Sequence, residues 1–417
     1  MKAFLILEDG TVFEGSHIGA DHDVISEIVF NTSMAGYPEV LTDPSYAGQS
    51  VCMTYPLIGN YGICLDDMES ERPWMDALIV REAARVASNF RSDVSLLKFM
   101  EMFDLPGIEG IDTRALTKIL REKGTMNGCI TTKENYSLEE ILPKLKAYTC
   151  GKVVEKVTCR EKYTVRGVNA LSENGPLSGT AVFDPDSFGT VGEDGEERVK
   201  HEKRPSLVRN LNGIVPDGKG GSRHLEIALL DVGAKRNIAN SLTARGCNVT
   251  VWPALTTAEE ILGSHPDGIM LSNGPGDPKE CTSVIAEIRK LYDSDVPIFA
   301  ICLGHQLMAL ATGADTHKLK YGHRGGNHPV KDLSDGRVYI SSQNHGYVVD
   351  TDTLDPEIAV PAFVNVNDGT NEGLRYLKKN IFTVQFHPEA CPGPQDSGYL
   401  FDRFLQSVRS AGTGSAE

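Results

Sequence analysis

Apolar and polar positions divide this chain into three stretches with different rhythms. From residue 225 onward, short apolar runs alternate with amphipathic segments. Residues 225–231, 248–252, 268–271 and 297–301 each read as a buried strand. Between them 235–245, 259–262 and 283–292 read as helices, the first stopped by Gly246. A further helix starts at 303, and 381–386 make a strong last strand. This alternation predicts an α/β unit over 224–410, a parallel sheet with helices on both faces, followed by a tail at 411–417. In such sheets ligands sit beyond the carboxyl ends of the strands, so the residues just after each strand carry most weight.

The first 159 residues mix strands and helices and predict a separate N-terminal α+β domain. Residues 2–7 read as a first strand running to a turn at Asp9-Gly10, with further strands at 28–31 and 77–80. Over 112–123 the apolar residues 115, 116, 119 and 120 mark an amphipathic helix that Gly124 ends. Gly36, Pro38, Pro44 and Gly48 among polar neighbours predict long loops over 27–49. Between the two domains, 160–223 loses its apolar periodicity, gains Gly, Pro, Ser and Asn, and carries an acidic knot at 192–197. Such composition buries too little apolar area to offset its ordering entropy. It reads as a linker or surface excursion with room for partial disorder, a docking element being the other reading.

Composition narrows the function without choosing it. The 417 residues fit two or three domains, and 40% hydrophobic with 24% charged residues is ordinary globular usage. With 41 basic against 57 acidic residues the net charge is −16, which argues against a broad nucleic-acid surface. No segment has the roughly 18–20 uncharged apolar residues of a membrane span. The N-terminus turns acidic at Glu8-Asp9, unlike a signal or transit peptide. Nine scattered cysteines, none spaced C-x-x-C, predict neither disulfides nor structural zinc, and the cytoplasm is the expected compartment.

Three segments carry candidate chemistry. Ala300-Ile301-Cys302-Leu303-Gly304-His305-Gln306 places a thiol where a strand turns sharply into a helix, the geometry of a nucleophile elbow. The helix N-terminus there is expected to favour the thiolate, and its N–H groups to receive an oxyanion. On this segment alone, Cys302 is equally well read as a small buried apolar residue. The 381–386 strand delivers His387-Pro388-Glu389, whose two titratable side chains share one face if the chain stays extended. Glu389 would then orient the ring that accepts the Cys302 proton. Asn273-Gly274-Pro275-Gly276 after the third strand fits either a tight turn or a backbone cradle for a ligand. The polar run Gln343-Asn344-His345-Gly346-Tyr347 says little by its spacing.

Together these segments resemble the signatures of the class I glutamine amidotransferases: 271–278, 301–306 and 385–389. Those three alone are similar to the glutaminases of anthranilate synthase and GMP synthetase as well. The stretches 29–37 with 41–46, 111–114 (Ile-Asp-Thr-Arg) and 325–330 (Gly-Gly-Asn-His-Pro-Val) narrow the resemblance to the small, glutamine-hydrolysing subunits of carbamoyl-phosphate synthetases. The resemblance covers almost the whole chain. It implies that Cys302 attacks the side-chain amide of L-glutamine to give a γ-glutamyl thioester, with His387 moving the proton and Glu389 behind it. It further implies that Ser45, Gly274, Gly276, Leu303, Gln306, Asn344, Gly346 and Tyr347 surround the glutamine, the Gly274 and Leu303 regions supplying oxyanion donors. No metal or other cofactor is implied in this chain; ATP, Mg²⁺ and bicarbonate belong to a large synthetase subunit, the implied partner. No G-x-x-x-x-G-K-[ST] loop occurs here, in keeping with that division.

The chain departs from the family pattern in three places. Ala300 stands where glycine is usual, Tyr347 where phenylalanine is common, and 160–223 is longer than the usual connection. Cys391 offers a second thiol near the motif, for which packing is the plainer reading. A partner-free cysteine hydrolase would share Cys302 and His387 but has no use for Ser45. A catalytically dead regulatory subunit would typically lack the cysteine or the histidine.

Overall fold

The structure, a computed structural model, describes residues 1–167, 211–217, 221–390 and 393–413. The N-terminal strands close on themselves. Their order around the barrel is Lys2–Leu7, Val12–Gly19, Pro106–Glu109, Ala77–Ile79, Gln49–Met53, Val24–Asn31 and Met126–Thr131, which pairs back with the first. Closure removes the free sheet edges that a mixed array of short strands would otherwise expose. The Thr113–Lys123 helix lies where its periodicity places it, with Leu116 and Leu120 in the core, Asp112 capping the Ala115 N–H and Gly124 ending it at φ 101°.

The expected long loop over 27–49 is instead mostly structured. Val24–Asn31 is a strand, Tyr37–Thr42 a helix, and Pro44–Tyr46 a single 3₁₀ turn. Gly36 turns the chain at φ 81°, and both prolines sit in first helical turns, where their missing N–H costs nothing. Tyr37, Val40 and Leu41 then bury against the barrel's apolar cluster.

The C-terminal unit is built on a ten-stranded sheet. Its core is parallel, in the order Asn248–Pro253, Glu226–Asp231, Gly268–Leu271, Ile298–Ile301 and Ile381–Val384. Helices Arg236–Thr243, Ala258–Gly263, Thr282–Asp293 and Leu303–Ala311 follow the first four strands in sequence, close to their predicted spans. One apolar cluster, around Leu271, Ile288, Ala300 and Leu307, fills one face, and another around Phe299, Phe382, Phe401 and Phe404 fills the other. The Ala300 methyl packs inside the first cluster at no solvent exposure. Beyond Ile381–Val384 the sheet continues antiparallel through Asn371–Tyr376, Ala359–Asn365, Thr316–Asp332 and Val338–Val349.

Parts of the 160–223 stretch also form strands. Tyr163–Val165 pairs antiparallel with Val249–Val251 at the sheet edge, and Ile214–Pro216 with Ser222–His224. The acidic knot at 192–197, Cys391 and residues 414–417 lie outside the described residues. Barrel and sheet are stitched together: the Lys318 ammonium pairs with Glu27 at 2.5 Å, and the Thr125 N–H donates to the Lys320 carbonyl. No helix among the described residues is long and apolar enough to cross a membrane.

Candidate active site

Cys302 stands at the junction of the Ile298–Ile301 strand and the Leu303–Ala311 helix, with φ 53° and ψ −106°. A non-glycine residue at positive φ is strained and persists only where its surroundings hold it. Here the Cys302 N–H donates to the Val384 carbonyl, and the Gly304 N–H to Ser272. A Cβ on Gly304 would run into the Leu271 backbone, so only glycine lets the helix approach the neighbouring strand so closely.

The thiol opens onto a cavity of about 390 Å³ between barrel and sheet, within the range of small-molecule sites. Ser45, Gly274, Gly276, Gln306, Asn344, Gly346 and Tyr347 all line it beside Cys302. Leu303 does not: its side chain belongs to the apolar cluster behind the sheet, while its N–H faces the Cys302 sulfur. A Cβ on Gly274 would collide with the Val232 carbonyl, so any other residue there must displace the loop. The Gln306 amide donates to the Tyr347 carbonyl at 2.8 Å and to Gln385 at 2.9 Å, which fixes the cavity's far wall.

His387 and Glu389 are buried. The strand ends at Val384, so Glu389 does not reach His387 through a shared pleat; a turn closed by the Ala390 N–H on the His387 carbonyl brings them together. His387 Nδ1 then lies 2.6 Å from Glu389 Oε1. That contact places the proton on Nδ1 and the lone pair on Nε2. Nε2 is buried with no hydrogen-bond partner. The Cys302 thiol meanwhile donates to the Asn344 carbonyl at 3.8 Å.

Lys235 extends this array, and sequence reasoning missed it. Its buried ammonium lies 2.8 Å from Glu389 Oε1 and faces Asp43 and Glu69 of the barrel as well. Burial opposes charge on Glu389, but the Lys235 ammonium and then the His387 ring outweigh it, and its pKa falls to about 2. Glu69 goes the other way. Burial dominates over Lys235, and its pKa rises to about 8. Lys235 follows the Glu226–Asp231 strand at its carboxyl end, the position the α/β rule singles out. Asp43 and Glu69 carried no such signal.

The surroundings of Cys302 work against the expected thiolate. Burial foremost, then the Asp43 and Glu389 charges, push the Cys302 thiol up, against Lys235 and the Leu303 N–H. A helix N-terminus contributes a fraction of a charge, and burial together with two nearby carboxylates outweighs it. Asp43 also braces the cavity: it accepts the Ser45 N–H at 2.9 Å and the Asn344 amide at 2.9 Å. The Asn273 amide donates to the Ser45 hydroxyl at 2.9 Å, and the Asn273 oxygen takes the Lys235 N–H at 3.0 Å. The site is thus completed by hydrogen bonds that cross between the barrel and the sheet.

An elbow cysteine, a buried histidine–carboxylate pair and a parallel sheet define a class, and residues 228–407 match the family model described as glutamine amidotransferase class-I. Residues 5–130, the barrel, match the model for the carbamoyl-phosphate synthase small chain, CPSase domain. The chain is 46% identical to the carbamoyl phosphate synthase small chain of Clostridium perfringens, over 97% of this chain and 99% of that one. It is 44% identical to that of Fusobacterium nucleatum, over 97% of each, and 42% identical to that of Listeria monocytogenes, over 99% and 98%. The chain belongs to the carbamoyl-phosphate synthase small-chain family.

Proposed function

We propose that this chain hydrolyses L-glutamine at Cys302 and passes the ammonia to a large synthetase subunit, which makes carbamoyl phosphate. One observation carries the reading: a strained thiol on a cavity wall, with a buried His387–Glu389–Lys235 array whose Nε2 lone pair has no partner. Because burial holds the thiol neutral, its proton leaves only as the nucleophile attacks, with His387 Nε2 as acceptor. The bond from Cys302 Sγ to the amide carbon forms, and the carbonyl oxygen gains charge. The N–H groups of Leu303 and of the Gly274 loop would receive that charge. His387 returns the proton to the amide nitrogen, the C–N bond breaks and ammonia leaves. Water, deprotonated by the same ring, then cleaves the γ-glutamyl thioester to glutamate and restores the thiol.

Glu389 holds the ring's Nδ1–H and stabilises the imidazolium, and Lys235 keeps Glu389 ionised. Ser45, Gln306, Asn344, Gly346 and Tyr347 would surround the glutamine. This chemistry asks for no cofactor in this chain. ATP and Mg²⁺ are assigned to the partner, and the cytoplasm, where a thiol stays reduced, is the proposed compartment.

In complex with the large subunit, Cys302→Ser is expected to abolish glutamine-dependent carbamoyl phosphate synthesis while ammonia-dependent synthesis survives. A γ-glutamyl adduct on the wild-type chain should be trapped by mass spectrometry. Glutamine hydrolysis by Cys302→Ser near the wild-type rate would overturn the assignment.

A further inference from the structure

A second cluster of buried titratable side chains shares one residue, His345, with the wall of the Cys302 cavity and none with the His387–Glu389–Lys235 array. His323 and His345 face each other across the Thr316–Asp332/Val338–Val349 hairpin, and Glu372 joins them from the Asn371–Tyr376 strand. One donor atom of each lies within 4.8 Å of the others. All three residues are more than nine-tenths buried.

The neighbours fix where the protons are. His345 Nδ1 lies 2.7 Å from the Tyr347 carbonyl, which only accepts, so the hydrogen is on Nδ1 and the lone pair on Nε2. His323 Nε2 lies 2.7 Å from Asp368 Oδ2 and donates to it, which leaves the lone pair on Nδ1, 3.5 Å from Glu372 Oε1. Glu372 Oε1 takes the Asn365 amide hydrogen at 2.9 Å, while Oε2 is buried with no hydrogen-bond partner. His323 Nδ1 is likewise buried without one. His345 Nε2 faces yet another acceptor, Gln343 Oε1, at 3.2 Å. With one hydrogen on each ring, the lone pairs of His323 Nδ1 and Glu372 Oε2 are both buried and unpartnered beside His345 Nε2, an arrangement that repels itself unless a cation or an added proton sits inside.

We propose that His323 Nδ1, His345 Nε2 and Glu372 bind one divalent transition cation of the Zn²⁺ class. Two imidazoles and a carboxylate are the donor set such ions prefer. Each ring donates its other N–H outward, to Asp368 or to the Tyr347 carbonyl, as metal-bound histidines do. Glu372 and Asp368 supply two negative charges. The opposing charge is the buried Arg324 guanidinium, which donates to the Tyr321 carbonyl, and the His328 ring packs on His323. The cation would pin His345, and with it Asn344 and Gly346 on the cavity wall. The ligands come from separate strands, so no spacing in the sequence announces them, and this proposal departs from the expectation of no metal.

The test uses the full chain, stripped with a chelator, dialysed and titrated with Zn²⁺ alone by calorimetry and with Co²⁺ by visible absorption. A Cys302→Ala chain, which removes the competing thiol, should bind one cation with unchanged affinity. Asp368→Asn, at a half-exposed position, should weaken binding roughly 10–100-fold, and Glu372→Gln by more. Circular dichroism shows whether each variant is folded. Absence of saturable binding to the wild-type chain would mean that a proton occupies the cluster, and would overturn the proposal. So would equal affinity in folded Asp368→Asn and Glu372→Gln chains, or binding lost in Cys302→Ala.

Discussion

Replacing Lys235 with methionine removes the one ammonium that Glu389, Glu69 and Asp43 share in a buried site. At the observed 2.8 Å, attraction to Glu389 alone is roughly 6 kcal/mol at an effective dielectric constant of about 20. Removing one partner of a buried pair costs about 3–5 kcal/mol, because the stranded charge must take a proton or stay uncompensated. At about 2–4 °C per kcal/mol for a unit of this size, Lys235→Met should melt on the order of 10 °C lower near pH 8. The deficit must depend on pH. In the wild type Glu389 is depressed to about 2, so its contribution is present above the ordinary carboxylate range and is lost only as pH falls toward that value. Without Lys235, burial lifts Glu389 above its unfolded value, so the variant gains stability as pH falls and loses it as pH rises. Melting curves from pH 8 to pH 4 should therefore converge. Turnover of glutamine should drop about 10²–10⁴-fold, the usual contribution of a positioned general acid–base. A deficit equal at pH 4 and pH 8, or turnover within about threefold of wild type, would refute the role given to Lys235.

Other perturbations test separate parts of the structure. Glu69, raised by burial to about 8, favours folding in its neutral form; wild-type stability should decline as pH rises from the ordinary carboxylate range and level off above about 8, and Glu69→Gln should flatten that decline in pH-resolved melting. Gly274→Ala drives a methyl into the Val232 carbonyl, so glutamine turnover should fall at least tenfold with a loss of about 1–3 kcal/mol in denaturant titration. Arg245 is buried, pairs with Asp402 through two nitrogens at 2.9 and 3.0 Å, and donates to the Gly398 and Ser241 carbonyls. Arg245→Met should cost about 3–5 kcal/mol while the KM for glutamine stays within about twofold.

What could be read in advance follows from the range of the forces involved. The parallel core was legible because its strands are short, mostly apolar runs and its helices repeat an apolar face every three to four residues, both purely local signals. The antiparallel extension was not. In Thr316–Asp332 and Val338–Val349 the buried positions include Arg324, Gln343, Asn344 and His345, and irregular register near Gly322 and Gly325 breaks the alternation. Polar residues at buried positions look like surface in a one-dimensional reading; their partners lie on other strands or in the barrel. The Tyr37–Thr42 helix was hidden for a related reason, since its prolines sit where a helix tolerates them but a pattern reads breakers.

The same division runs through the site. Cys302 was legible as a candidate because a strand runs straight into a helix there, and His387 and Glu389 because they lie two residues apart just beyond a strand. What acts on the thiol is not local in sequence: burial comes first, then the Asp43 charge from the barrel and the Glu389 charge from the motif, with Lys235 opposing them. An active site whose electrostatics cross between two units depends on their contact for its proton affinities as well as its shape. Cys302 keeps a positive φ only while Val384 and Ser272 hold the turn, and Glu389 stays ionised only while Lys235 is buried beside it. The chemistry therefore belongs to the folded pair of units, because the C-terminal sheet alone would leave the Lys235 ammonium with Glu389 but without Asp43, Glu69 or the Ser45 wall.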